Sequence, residues 1–93
     1  MKDVRIDRAL LAAIRKLAVG ERREIDAAIS EAQELFGQPH VHAGAGVRKL
    51  KGRWYEVRAG LELRLIFTER DDSLSFEFMG NHDEVRRFLK GLK

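Results

Sequence analysis

The spacing of apolar residues changes twice along this chain, and that change limits its folds more than any other feature. Between Leu10 and Phe36 apolar side chains recur every three or four residues: Leu10, Leu11, Ile14, Leu17 and Ala18, then Ile25, Ala28, Ile29, Ala32, Leu35 and Phe36. From Trp54 to Met79 they alternate, and from Val85 through Phe88 and Leu89 to Leu92 the wider spacing returns. Recurrence at three to four residues makes one face of a helix apolar, whereas alternation makes one face of a strand apolar. The chain therefore reads as helix, helix, strands, helix. That is an α+β fold with an N-terminal helical hairpin, a three- to four-stranded antiparallel sheet and a C-terminal helix.

Boundary signals sharpen this reading. Asp7 is placed to cap the first helix, and Gly20 is expected to end it. The second helix is expected to end at Gly37, with Pro39 preventing continuation. Residues Gln38 to Gly46 have loop composition. Trp54–Arg58 sends Tyr55 and Val57 to one face and Trp54, Glu56 and Arg58 to the other. Leu61, Leu63, Leu65 and Phe67 are expected to share a face, as are Leu74, Phe76 and Phe78 with Met79 opposite. Val47–Leu50 reads as a possible fourth strand, and Val4 and Ile6 as a short edge strand. Asn81 with Glu84 has capping-box spacing for the last helix. The helices are expected to cover the apolar face of the sheet, leaving the Trp54–Arg64 face open or against a partner.

With 93 residues the chain is one domain, spanning 1–93. It has no cysteine, which excludes disulfide scaffolds and Cys-based zinc or redox sites. Its longest apolar run is Ala9–Ile14, far below the ~20 residues that span a bilayer, and the charged N-terminus is unlike a signal peptide. The expected location is the cytoplasm, with no membrane partner. Net charge is +3, and the excess lies entirely in residues 47–93, which hold eleven Lys/Arg against eight Asp/Glu. Arg48, Lys49, Lys51, Arg53, Arg58 and Arg64 crowd into the strands, a footprint suited to phosphates.

Motifs for nucleotide binding, serine hydrolysis and zinc proteolysis are missing from the sequence. His40 and His42, with His82 distant, could in principle meet a metal, but nearby carboxylates to orient them are lacking. A surface loop with no metal is the expectation, and no cofactor is called for. His82 is the more interesting histidine, because it opens the last helix. The helix dipole presents positive charge there, which suits a neutral imidazole able to take a proton.

Residues Val47–Arg58, VRKLKGRWYEVR, followed by Leu63–Phe67, LRLIF, resemble the RelE/ParE toxin superfamily pattern "rkLkg..yElR.g..yRliy". Gly80-Asn81-His82 is similar to the "G-[SN]-H" junction of its YafQ-like and HigB-like branch. The resemblance extends over nearly the whole chain and implies a RelE-like fold in one RelE/ParE-like toxin domain. It implies the toxin of a bacterial toxin–antitoxin pair, held by a cognate antitoxin in a hetero-oligomer. The implied activity is ribosome-dependent mRNA cleavage by metal-independent acid–base chemistry; the alternative is ParE-like inhibition of DNA gyrase through protein–protein binding. By this resemblance Arg64 falls on the phosphate-stabilising arginine, His82 on the acid–base histidine, and Glu62 on an acidic position of YafQ-like members. Arg48, Lys49, Lys51, Arg53, Arg58 and Arg86 are the expected RNA-binding residues. Glu56 is a second candidate acidic partner. The nearest aromatic after His82 is Phe88, whose spacing marks it as core.

Overall fold

The computed structural model of the chain describes residues 2–37 and 46–92. The elements run β1 (Asp3–Ile6), α1 (Arg8–Arg15), α2 (Val19–Gly37), β2 (Val47–Lys51), β3 (Trp54–Ala59), β4 (Leu63–Glu69), β5 (Ser73–Gly80) and α3 (His82–Lys90). His40 and His42 lie outside the described residues. One five-stranded sheet is ordered β1-β5-β4-β3-β2. Strands β2 to β5 pair antiparallel as expected, while β1 adds a parallel edge beside β5. The sheet is therefore mixed and has one strand more than the upper expectation, because the four-residue β1 finds its partner only through the tertiary fold.

The first helix begins where Asp7 predicts, its carboxylate accepting from the amides of Ala9 and Leu10 at 3.1 and 3.2 Å. It ends at Arg15, however, and Gly20 lies in the first turn of α2 rather than in the turn between helices. Lys16, Leu17 and Ala18 make that turn, with Leu17 still packed on the core. Helix α1 lies on β5 and α2 on β3. Beneath them Tyr55 and Val57 from β3, Leu65 and Phe67 from β4, and Leu74 and Phe76 from β5 form the main core with Leu10, Ile14, Ile25, Ala28 and Ala32. Phe67 is central: its ring lies 4.9 Å from Phe76, 5.6 Å from Tyr55 and 5.9 Å from Phe36. Full burial of each such side chain is worth about 1.5–3 kcal/mol.

Two face assignments differ from expectation. Leu61 is wholly exposed in the β3–β4 turn, because β4 starts only at Leu63. More consequential is a bulge between β4 and β5. Ile66 pairs with Phe78 and Phe67 with Phe76, so Glu77 is the extra residue. An extra residue exchanges the faces of everything beyond it. Phe78 thus turns away from the main core, and Met79 turns into it.

The far face of the sheet is consequently not open. Phe78 stacks on Phe88 of α3 at 4.7 Å, and Trp54 meets the same ring edge-on at 5.5 Å. Ile66 and Val85 are buried. Helix α3 and these residues form a second, smaller apolar layer, which corrects the expectation that all helices cover one face. Its start is fixed by the predicted capping box: the Glu84 amide donates to Asn81 Oδ1 at 2.9 Å, and the Asn81 amide donates to Glu84 Oε1 at 2.8 Å.

Phe67→Ala should cost about 3–5 kcal/mol in denaturant unfolding and Asn81→Ala about 1 kcal/mol. Burial, with a smaller contribution from the negative charge of Glu69, raises the phenol of Tyr55 above its ordinary 10.0. As Tyr55 is the sole tyrosine, ultraviolet titration should read this shift directly. The raised value favours the folded state below the unfolded phenol's pKa, and that contribution is lost as pH climbs through the folded one.

Candidate active site

The far face of the sheet carries a line of charged side chains at the end where α3 begins. Strand alternation and register set it out. Arg48 of β2 pairs with Glu56 of β3, Arg58 of β3 pairs with Arg64 of β4, and Arg64 pairs with Gly80 of β5. Arg64 is therefore flanked by β3 on one side and by the strand that leads into His82 on the other.

Three contacts join these residues. Arg64 Nη1 donates to His82 Nδ1 at 2.8 Å. The same nitrogen lies 3.6 Å from Glu56 Oε2, and Arg48 Nη2 reaches that oxygen at 3.6 Å from the other side. The Arg64 side chain is only 19% exposed and that of Glu56 only 6%, whereas Arg48 is 65% exposed. A guanidinium has no acceptor, so Nδ1 of His82 must accept, and the imidazole proton sits on Nε2. His82 is thereby oriented in one tautomer, with Nε2 left for other partners. Lacking any rotatable polar hydrogen, the planar fork of Arg64 is suited to bidentate phosphate binding.

His82 reaches Arg64 because α3 comes unusually close to β5. A Cβ on Gly80 would fall 2.8 Å from Cβ of Glu84 and 3.0 Å from Cε2 of Phe78. Only a glycine lets the capped first turn of the helix sit against the strand here. Arg86 is exposed one turn after His82 and lies on the same side of the helix.

The other expected site residues are distributed unevenly. Lys51 pairs with Trp54 and so shares the far face, as does Arg58. Lys49 pairs with Tyr55, which belongs to the main-core face. Arg53 lies in the β2–β3 turn, where its Nη1 donates to the Glu69 carbonyl at 3.4 Å. That is five residues along β3 from Arg58, or roughly 16 Å. Glu62 lies in the β3–β4 turn and lines a hollow with Glu21, Glu24 and Leu61, apart from the Arg64–His82 pair. That turn opens at Gly60, whose φ of 77° is left-handed and against which the Glu24 carboxylate lies. Glu56, the second acidic candidate, is the carboxylate the fold brings to Arg64. Its place follows from alternation in Trp54–Arg58, but its burial depends on α3 covering the far face. Among the described residues no group of three or more His, Cys, Asp or Glu is placed to hold a metal ion. No helix among them is long and apolar enough to cross a membrane.

No family model and no curated protein matches the sequence. Solved structures do match. The archaeal RelE–RelB complex from Pyrococcus horikoshii OT3 aligns with a TM-score of 0.66 at 20% identity, over 86% of this chain and 93% of that one. This is the RelE-like fold. Toxin RelE of E. coli, a mutant solved with an antitoxin RelBc peptide, aligns at TM-score 0.64 and 16% identity over 99% of this chain and 95% of that one. YafQ from E. coli strain BL21(DE3) aligns at 0.61 and 14% identity, over 91% and 98%. Coverage this complete leaves little of the RelE-like fold unmatched on either side.

Gly80→Ala should separate α3 from β5 in this RelE-like fold. The expected result is a loss of about 1–3 kcal/mol in unfolding experiments and an Arg64–His82 contact that is broken in a crystal structure of the variant.

Proposed function

We propose that the chain is the toxin of a bacterial toxin–antitoxin pair and acts in the cytoplasm as a ribosome-dependent mRNA endonuclease. The observation that carries this reading is the 2.8 Å contact between Arg64 and His82 on a face that also bears Arg48, Lys51 and Arg58. Its second support is the fold shared with RelE and YafQ.

The chemistry asks for little more than such a pair. RNA supplies its own nucleophile: the 2′-oxygen attacks the adjacent phosphorus, the P–O5′ bond breaks, and a cyclic phosphate and a free 5′-hydroxyl result. One proton leaves the 2′-hydroxyl and one reaches the departing 5′-oxygen. Negative charge builds on the non-bridging oxygens between these events. Arg64, rigid on the central strand, is the group to neutralise that charge, and preorganised charge of this kind is worth about 10²–10³-fold or more. His82 is the proton-transfer group, worth about 10²–10⁴-fold. With Nη1 of Arg64 on Nδ1 of His82, Nε2 of His82 is the ring nitrogen left to move protons. Arg48, Arg58 and Arg86 hold flanking phosphates; Lys51 and Arg53, at the far end of the sheet, and Lys49, on the other face, are suited to more distant ribosomal RNA. Glu62, in the β3–β4 turn, is set apart from this chemistry.

One observation favours the alternative, gyrase inhibition by protein–protein binding. Phe88 is occupied between Trp54 and Phe78, so the stretch after His82 offers no free ring to stack on an unpaired base. In either case the partner is a cognate antitoxin that lays a helix or strand on this domain, as antitoxin accompanies the E. coli RelE neighbour.

Induced expression should arrest growth, and Arg64→Ala or His82→Ala should relieve the arrest while antitoxin binding persists. Primer extension after induction should find translation-dependent cuts in mRNA. Unabated toxicity of the double variant, or gyrase–DNA breaks without mRNA cuts, would sink the nuclease reading.

A further inference from the structure

Glu56 is a costly residue to place where it is. Only 4% of it is exposed, and its Oε1 is buried with no hydrogen-bond partner among the described residues. An acceptor left without a donor is normally selected against in a folded protein. Its neighbours are Trp54 and Arg58 along β3, Arg48 on β2 and Ile66 on β4. An apolar residue of similar volume would fit between Trp54 and Ile66 without that penalty, since buried ion pairs are often replaceable by packed hydrophobes. The carboxylate therefore calls for an explanation other than stability.

Its two oxygens are placed differently. Oε1 is sealed off, and Oε2 faces Arg64 and Arg48 at 3.6 Å each. What Oε2 touches is Nη1 of Arg64, the same nitrogen that donates to His82 Nδ1. Without that anion Arg64 would face Arg58, its direct cross-strand neighbour, with only like charge beside it. Like charges opposite one another in a sheet repel, and a long side chain so placed swings toward solvent.

We propose that Glu56 is the positioning residue for Arg64: it holds the guanidinium against the sheet, at the distance where Nη1 fixes the His82 tautomer and the rest of the fork faces a phosphate. The inference rests on the nuclease reading for its catalytic consequence, but the hold on Arg64 exists without substrate. Arg48 is a second cation on the same oxygen, also at 3.6 Å, and it does not displace Arg64.

The test uses the full chain and two variants, Glu56→Gln and Glu56→Met. Imidazole nitrogen NMR shifts report the tautomer, and the His82 signal is identified by its loss in His82→Gln. In the wild type Nδ1 should be the unprotonated nitrogen. Both variants should show a mixture of tautomers, because Arg64 is no longer held. Glu56→Met should be at least as stable as the wild type, which a purely structural role for the carboxylate does not predict. Cleavage of ribosome-bound mRNA should fall roughly 10–100-fold, a loss typical of a misplaced catalytic group, in kcat rather than KM. Glu56→Asp, which keeps the charge, should recover part of it. A folded Glu56→Gln or Glu56→Met chain with the wild-type tautomer overturns the proposal, whatever its activity. A wild-type chain that cuts no RNA overturns the nuclease reading instead, and the tautomer comparison still decides whether Glu56 holds Arg64.

Discussion

Ile66 is the residue on which the arrangement turns. It sits on the central strand β4 pointing away from the main core, yet it is fully buried. A branched aliphatic side chain on that face must be covered, and α1 and α2 are already committed to the other. The chain therefore has to return over the far face, and α3 does so with Val85 and Phe88. The Glu77 bulge makes the return possible, since it delivers Phe78 to the same layer. Gly80 then lets the helix begin close against the strand. Two apolar layers back to back leave the N-terminus of α3 beside the start of β4, and this is how His82 meets Arg64. The site is a by-product of covering Ile66.

The same geometry accounts for its electrostatics. Arg48, Glu56 and Arg64 lie on adjacent strands of a face that α3 covers only in part, so the carboxylate is buried and one arginine is half-sheltered while the other stays in water. Two cations around one buried anion leave a positive surplus, and Lys51, Arg58 and Arg86 add to it. The +3 net charge is thus concentrated on a surface that also presents an oriented imidazole. Opposite charge lies elsewhere, with Glu21, Glu24 and Glu62 around the exposed Leu61.

Much of this was legible in one sequence, because the signals were local. Asp7 and Asn81 cap their helices as their side chains dictate, and Tyr55 and Val57 face inward as simple alternation requires. The resemblance in Val47–Phe67 and Gly80–His82 pointed to Arg64 and His82, and the fold brings the two into contact. What escaped was set by packing rather than by local chemistry. Gly20 looks like a helix stop, yet the turn forms earlier, at Lys16–Ala18, where Leu17 can reach the core. Phe78 follows the alternation of Leu74 and Phe76 perfectly in sequence, and nothing local marks Glu77 as an extra residue. Strand β1 is too short to advertise a parallel partner some seventy positions away. Glu62 is two positions from Arg64 in sequence and Glu56 eight, yet the register of β3 on β4 puts Glu56 beside it.

In the proposed function Arg64 and His82 act on RNA as one unit. A double-mutant cycle on translation-dependent mRNA cleavage tests it most directly, comparing the purified wild type with Arg64→Ala, His82→Ala and the pair combined. Residues that work as a unit are strongly non-additive. The combined variant should be little worse than the poorer single one. Losses that multiply, or a combined variant that cuts as the wild type does, would contradict it.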